Sequence, residues 1–347
     1  MAAPDPTIEM MSARRALLAT LFVNFALIGV MIASIQQQEV GSAVRAHNSM
    51  KTPVMRQIRG NSLRRVTKAF DAISGTHDGA PDGLKTLKLT HPSGSEAVIY
   101  EFGAAVTSFK DSAGTEWLAV RPDAKFDGTK AISGGIPHCF PQFGPGVLPQ
   151  HGFARDAHWE MVKAEGSEAV FQLTDSERTR EIWDYPFKAT YSVNLLEDSL
   201  KTKLEVQNTG EKTFEFTGAL HSYFDVSNID DIQIEGPFTG KTIIDRMQDP
   251  PASIEMSSDL VGITEETDQI VEGVVGSVKI NDKGKGKSLL IKSTQGWSDT
   301  VLWNPYGNEG MGYKNFVCVE AAAASKPVSV APGSSWVADM DLIPSAL

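Results

Sequence analysis

Leu200-Lys201-Thr202-Lys203-Leu204-Glu205-Val206-Gln207, closed by Asn208-Thr209-Gly210, alternates apolar or small side chains with charged and polar ones. That alternation is the period of a β-strand, whose successive side chains point to opposite faces. Leu200, Thr202, Leu204 and Val206 would face a core, and Lys201, Lys203, Glu205 and Gln207 would face water. The stretch reads as a half-buried antiparallel strand.

Similar short runs recur on both sides of it: Ala97 to Phe109, Glu116 to Val120, Ala169 to Leu173, Lys188 to Leu195, Thr213 to Leu220, Ser277 to Ile280, Ser288 to Ile291, Thr300 to Trp303 and Trp336 to Leu342. Gly, Asn, Asp and Ser turns separate them, which predicts a large all-β sandwich over residues 81–347. Asn281 to Lys287 lacks the G-x-x-x-x-G-K-[ST] pattern of a phosphate loop and reads as a solvated hairpin. The chain has no internal repeat, no zinc-spaced cysteine cluster and no dinucleotide fingerprint.

Residues 1–80 have a different character. Ala16 to Ile35 is apolar apart from Thr20, Asn24 and Ser34, long enough for a hydrophobic membrane-spanning helix. Residues 36–80 read as a basic linker: Arg45, Lys51, Arg56, Arg59, Arg64, Arg65 and Lys68 stand against Glu39 up to residue 68. The positive flank predicts a membrane anchor with the body in the cytosol. The alternative is an organelle (plastid) leader, removed by cleavage.

The whole chain carries a net charge of −11, and with so many bases gathered in the linker the body is more acidic still. Such a body is a poor nucleic-acid binder, and an anionic ligand must be held by a few local Arg or Lys residues. Cys139 and Cys318 lie in apolar runs and read as buried free thiols.

Three segments carry polar groups that folding alone does not explain. Leu220-His221-Ser222-Tyr223-Phe224 and Phe316-Val317-Cys318-Val319-Glu320-Ala321 place a histidine and a carboxylate in apolar company, where each must be paired or used. By strand parity Glu320 shares a face with Cys318, while Val317 and Val319 point the other way. Ile132-Ser133-Gly134-Gly135-Ile136-Pro137-His138-Cys139-Phe140-Pro141-Gln142-Phe143-Gly144, followed by Gln150-His151-Gly152-Phe153-Ala154-Arg155, has the polar density of a ligand recess. An arginine there suits a phosphate or carboxylate, and a glutamine suits hydroxyls.

These motifs, with Trp303-Asn304-Pro305, Lys326-Pro327 and Pro332-Gly333, resemble the hexose-6-phosphate mutarotase (glucose-6-phosphate 1-epimerase) branch of the aldose 1-epimerase family, over roughly residues 85 to 345. The resemblance implies a galactose-mutarotase-like β-supersandwich that interconverts the anomers of an aldohexose 6-phosphate without a cofactor. It implies catalytic roles for His221 and Glu320, and substrate contacts by Gln150, His151, Arg155 and Asp268. Asp245 is a further candidate, with an equal reading as a turn residue. The family usually has Ile-Arg-Gly-Gly-Ile-Pro, and this chain has Ser133 in place of that phosphate-binding arginine; Lys130 or Arg121 could reach the same anion. Two rivals stay open at this point: an epimerase for unphosphorylated aldoses, and a non-catalytic carbohydrate-binding sandwich.

Overall fold

The computed structural model describes residues 73–76, 83–274 and 276–347. The apolar segment Ala16 to Ile35 and the basic stretch up to Lys68 lie outside the described residues. Among the described residues, no helix is long and apolar enough to cross a membrane. The one α-helix there, α1, is the short Glu177–Ile182, and the rest of the regular structure is strand and 3-10 turn. The all-β expectation holds for the body.

The strands, numbered in chain order, form three sheets. A small antiparallel sheet takes β1 (Ile73–Thr76), β2 (Lys85–Thr90), β3 (Glu96–Tyr100) and β4 (Ala105–Lys110) in sequence. Pairing therefore begins ahead of residue 81, inside the stretch read as linker. A nine-stranded sheet runs β15 (Leu260–Val261), β12 (Ile232–Glu235), β17 (Ser277–Asp282), β18 (Lys287–Lys292), β21 (Ser335–Ala346), β9 (Leu200–Asn208), β8 (Phe187–Leu195), β7 (Glu168–Thr174) and β6 (Glu160–Glu165). The third sheet runs β14 (Ala252–Glu255), β13 (Thr242–Asp245), β16 (Thr267–Val271), β19 (Asp299–Asn304), β20 (Phe316–Val330), β10 (Phe214–Leu220) and β5 (His138–Cys139). The short β11 (Tyr223–Asp225) also pairs with β20.

The two large sheets share one core. Leu204 and Val206 of β9, Tyr191 and Val193 of β8, and Met340 and Leu342 of β21 cluster with Val317, Val319, Ala321 and Ala323 of β20. From Val317 to Ala323 only one parity of β20 enters that core. Cys318 and Ala322 belong to separate apolar clusters, so β20 is buried on both faces and its second face is free to carry Glu320. The β17–β18 hairpin forms where expected and Lys283 at its tip is exposed, but Lys285 and Lys287 are not solvated. Lys285 Nζ lies 2.7 Å from Asp225 Oδ2, Lys287 Nζ lies 3.1 Å from Asp111 Oδ2, and both sit over the Trp117 ring.

His138 shows what a two-residue strand does with consecutive side chains. Cys139 points to one side, and His138 turns into the core against Trp159 and Tyr191, at ring-centroid distances of 5.0 and 4.3 Å. Neither of its ring nitrogens meets a partner in hydrogen-bond geometry. Burial pushes its pKa down to about 3, with the nearby Ala104 carbonyl opposing weakly. The native state thus refuses a proton that the unfolded chain accepts below the ordinary histidine pKa of about 6.5. Stability from this group is full above that value and is lost as pH falls towards the folded one. His138→Leu should remove about 2 kcal/mol of the stability lost between pH 7 and pH 5. Urea midpoints of both proteins at the two pH values check this, and equal losses would rule the group out as the acid-sensitive one.

Candidate active site

The site begins at an interruption in strand pairing. β10 pairs with β20 through Leu220↔Ala321, and β11 resumes pairing through Tyr223↔Cys318. The register is unbroken across the gap, so His221 falls opposite Glu320, and cross-strand neighbours share a face. At the gap the Ser222 amide turns back to the Leu220 carbonyl at 2.8 Å, while on the side away from β20 the His221 N–H donates to the Pro137 carbonyl and the Tyr223 N–H to that of Gly135. Gly135 can lie against β4 because it has no side chain; a Cβ there would lie 2.1 Å from the Val106 carbonyl oxygen.

His221 Nδ1 and Glu320 Oε1 approach to 3.2 Å, yet they are not aligned as a hydrogen bond, and Nδ1 and Oε2 have no hydrogen-bond partner among the described residues. Only 8% of His221 and 1% of Glu320 is exposed. The imidazole stacks on Tyr223 with ring centroids 4.8 Å apart, and meets Trp303 and His151 edge-on. Burial, then Asp268, push the Glu320 carboxyl well above the usual carboxylate range, with Arg246 and Arg155 pulling back. Burial, then His151 and Arg155, push His221 well below the usual imidazole range. Both shifts favour the uncharged forms, a carboxyl beside a neutral imidazole.

On one flank, register across the sheet fixes two rows. Ile270↔Val301↔Glu320 and Asp268↔Trp303↔Cys318 are successive cross-strand pairs, so Asp268 shares the face of Glu320. Burial raises the Asp268 carboxyl above its ordinary value, while Arg246 opposes the shift. Asn304 steadies the approach to β20, its Nδ2 donating to the carbonyls of Tyr313 (3.0 Å) and Phe316 (2.8 Å).

On the other side, the Gln150–Arg155 segment folds back onto Phe140. The Phe140 amide donates to the His151 carbonyl, and the Phe153 amide donates to the Phe140 carbonyl. The Gly144 amide donates to His151 Nδ1 at 3.1 Å, and Cys139 Sγ lies 3.1 Å from the same nitrogen. Since Nδ1 accepts, the ring proton is assigned to Nε2. Burial, Arg155 and Arg246 bring the His151 pKa down to about 3, so it is a neutral donor across the working pH range. Arg155 Nη2 donates to the Gln150 carbonyl at 2.9 Å, and the Gln150 side chain is exposed. Arg155 lines a recess of about 420 Å³ with Lys125, Lys130, Ser133 and two carboxylates, Asp123 and Asp156, which pair with Arg121 and Arg178. Arg121 instead faces Asp123, with Nε donating to Oδ1 at 2.8 Å.

His221, Glu320, His151 and Asp268 thus come together on one face, with Gln150 and Arg155 at its rim. Asp245 behaves as a turn residue: Oδ1 accepts from the Met247 amide and Oδ2 from Gln248 Nε2. Sequence reasoning missed Arg246, whose only signal was its place beside that aspartate. Cys139 and Cys318 are free and buried, as expected. Among the described residues, no group of three or more His, Cys, Asp or Glu side chains is placed to hold a metal.

The sequence profile of the aldose 1-epimerase family matches residues 85–342. A protein of Cenchrus ciliaris, provisionally named glucose-6-phosphate 1-epimerase, is 32% identical over 277 residues, covering 74% of this chain and 83% of its own. The crystal structure of a protein from Salmonella typhimurium, provisionally described as a mutarotase, superimposes with a TM-score of 0.70 at 24% identity, covering 82% of this chain and 100% of that one. A galactose mutarotase-like protein from Clostridium acetobutylicum does so with a TM-score of 0.67 at 17% identity, covering 81% and 100%. The body therefore has the galactose mutarotase-like fold.

Proposed function

The chain belongs to the aldose 1-epimerase family and is a mutarotase, and from that premise we propose that it interconverts the α and β anomers of an aldohexose 6-phosphate, first of all glucose 6-phosphate. The observation that carries the chemistry is the 3.2 Å approach of two buried, unaligned groups, His221 and Glu320. Holding one proton between them, they have two forms. In the first, carboxylate and imidazolium, Glu320 takes the proton of the C1 hydroxyl while His221 gives one to the ring oxygen, and the ring opens to the aldehyde. That leaves the second form, carboxyl and imidazole, which burial favours. After rotation about C1–C2 the same two transfers run backwards and close the ring on the other face. The charges of Arg246 and Arg155 draw Glu320 back towards ionisation, so the two forms stay within reach of each other.

The recess shared by Arg155, Lys125, Lys130 and Ser133 supports the phosphorylated substrate. Lys130 and Lys125 supply positive charge where the family arginine is absent. A guanidinium–phosphate contact contributes about 1.5 to 3 kcal/mol. Arg155→Ala should therefore lower kcat/KM for glucose 6-phosphate by about 10- to 100-fold, and for glucose far less. Anomer exchange followed by NMR on both sugars is the test. Equal losses on the two sugars would make Arg155 a scaffold residue. Ser133 is the observation that favours the rival, an epimerase for unphosphorylated aldoses, and wild-type protein that exchanges glucose as well as its 6-phosphate would decide for it.

A further inference from the structure

Arg246 follows β13 directly, and its amide donates to the Asp268 carbonyl at 2.9 Å, extending that strand by one pair. Ile244 pairs with Ile270, so by parity Arg246 lies on the same face as Ile270, Asp268 and Glu320. Its guanidinium carbon sits 5.1 Å from the centroid of Phe143, and the group lies against Gly144. Phe143 is fixed in turn, its amide donating to Thr217 Oγ1 at 2.9 Å.

The guanidinium is poorly spent. Its nearest anionic contact is Nε to Asp268 Oδ2 at 3.7 Å, too long for a hydrogen bond, and only 18% of the side chain is exposed. No hydrogen bond from Nη1 or Nη2 is made among the described residues. A planar fork of donors, held against an aromatic ring beside a carboxylate that is itself loosely paired, presents a donor and an acceptor side by side. Adjacent ring hydroxyls of a sugar match that arrangement.

We infer that Arg246 contacts the substrate, donating through its Nη groups to a ring hydroxyl next to the one that Asp268 accepts. The inference rests on the sugar-ring substrate proposed above, and it concerns the ring and not the phosphate. The loss of this grip is therefore the same with and without the phosphate, which separates Arg246 from Arg155.

The test uses 1,5-anhydroglucitol and its 6-phosphate, rings that cannot open, with their 2-, 3- and 4-deoxy forms, and reads Kd by NMR titration. Arg246→Ala is expected to raise Kd for both rings by about 10- to 100-fold. Arg246→Met keeps the stem over Phe143 and should give the same loss if the alanine variant folds poorly. Deleting one ring hydroxyl should weaken wild-type binding by a similar factor and the variant by less than about twofold, since the partner is already gone. Deoxy penalties that are unchanged in both variants would overturn the inference and leave Arg246 as a counter-charge for Asp268. Wild-type protein that binds these rings without exchanging anomers would sink the proposed chemistry alone, whereas failure to bind either ring would overturn both.

Discussion

Glu320→Gln is expected to cut anomer exchange on glucose 6-phosphate by about 10² to 10⁴, the usual size of a general acid–base contribution. His221→Ala should give a loss in the same range. Line-shape or magnetisation-exchange NMR on the two anomeric protons, compared with spontaneous exchange, measures both. Glutamine keeps the shape and the neutrality that burial already favours for Glu320. A carboxyl raised in the native state adds stability below its unfolded pKa and loses that benefit as pH rises through the folded value. At pH 7 the glutamine variant should consequently be no less stable than the wild type, and a lost activity cannot be ascribed to unfolding. A folded variant exchanging within a few-fold of wild type would remove Glu320 from the chemistry. The same pair sets the pH profile. Exchange should fall in acid, below the usual imidazole range, when the pair takes a second proton. It should also fall in base, above the usual carboxylate range, when the pair loses its one.

The largest loss of stability is expected from Gly152→Ala. A Cβ at this position would lie 2.1 Å from the Phe140 carbonyl oxygen and 2.4 Å from its carbon, at a φ of +70°. The same carbonyl accepts from the amides of Phe153 and Ala154, so it cannot withdraw without losing them. Left-handed strain of about 1 to 3 kcal/mol and overpacking of similar size act together. A loss of about 3 to 5 kcal/mol should appear as a shifted urea midpoint. Beside it Phe140 packs edge-on against Phe187, Trp183 and Phe216, which spreads the displacement into the core. A loss below about 1 kcal/mol would mean that the corner is soft, contrary to its hydrogen bonding.

Much of this architecture was legible because strands alternate. The β9 pattern gave both the strand and its buried face, and the parity of Val317, Cys318, Val319 and Glu320 separated core from site. What the sequence could not disclose is set by register between distant segments. The gap between β10 and β11 is a turn at Ser222, whose amide bonds back to Leu220, and the carbonyls of Gly135 and Pro137 that hold its flanking residues arrive from far along the chain. Arg246 was invisible for the same reason: its neighbours Asp268 and Phe143 are brought to it by two different parts of the chain. Lys285 and Lys287 looked solvated because Asp225 and Asp111 are remote in sequence. His138 stands one residue from Cys139, and only the strand direction decides which of the two meets His151.

The unbroken register that sets His221 opposite Glu320 has a consequence for the catalytic cycle as a whole. Donor and acceptor ride on neighbouring parts of one sheet and stay put, while the only atoms that must swing are those of the sugar aldehyde. In the proposed chemistry each group ends a turnover with the protons it began with. The protein needs no second substrate and no recovery step to be ready again, and it greets either anomer in the same state. Such a catalyst has no preferred direction of its own, and the flow through it follows whichever anomer is being drawn away.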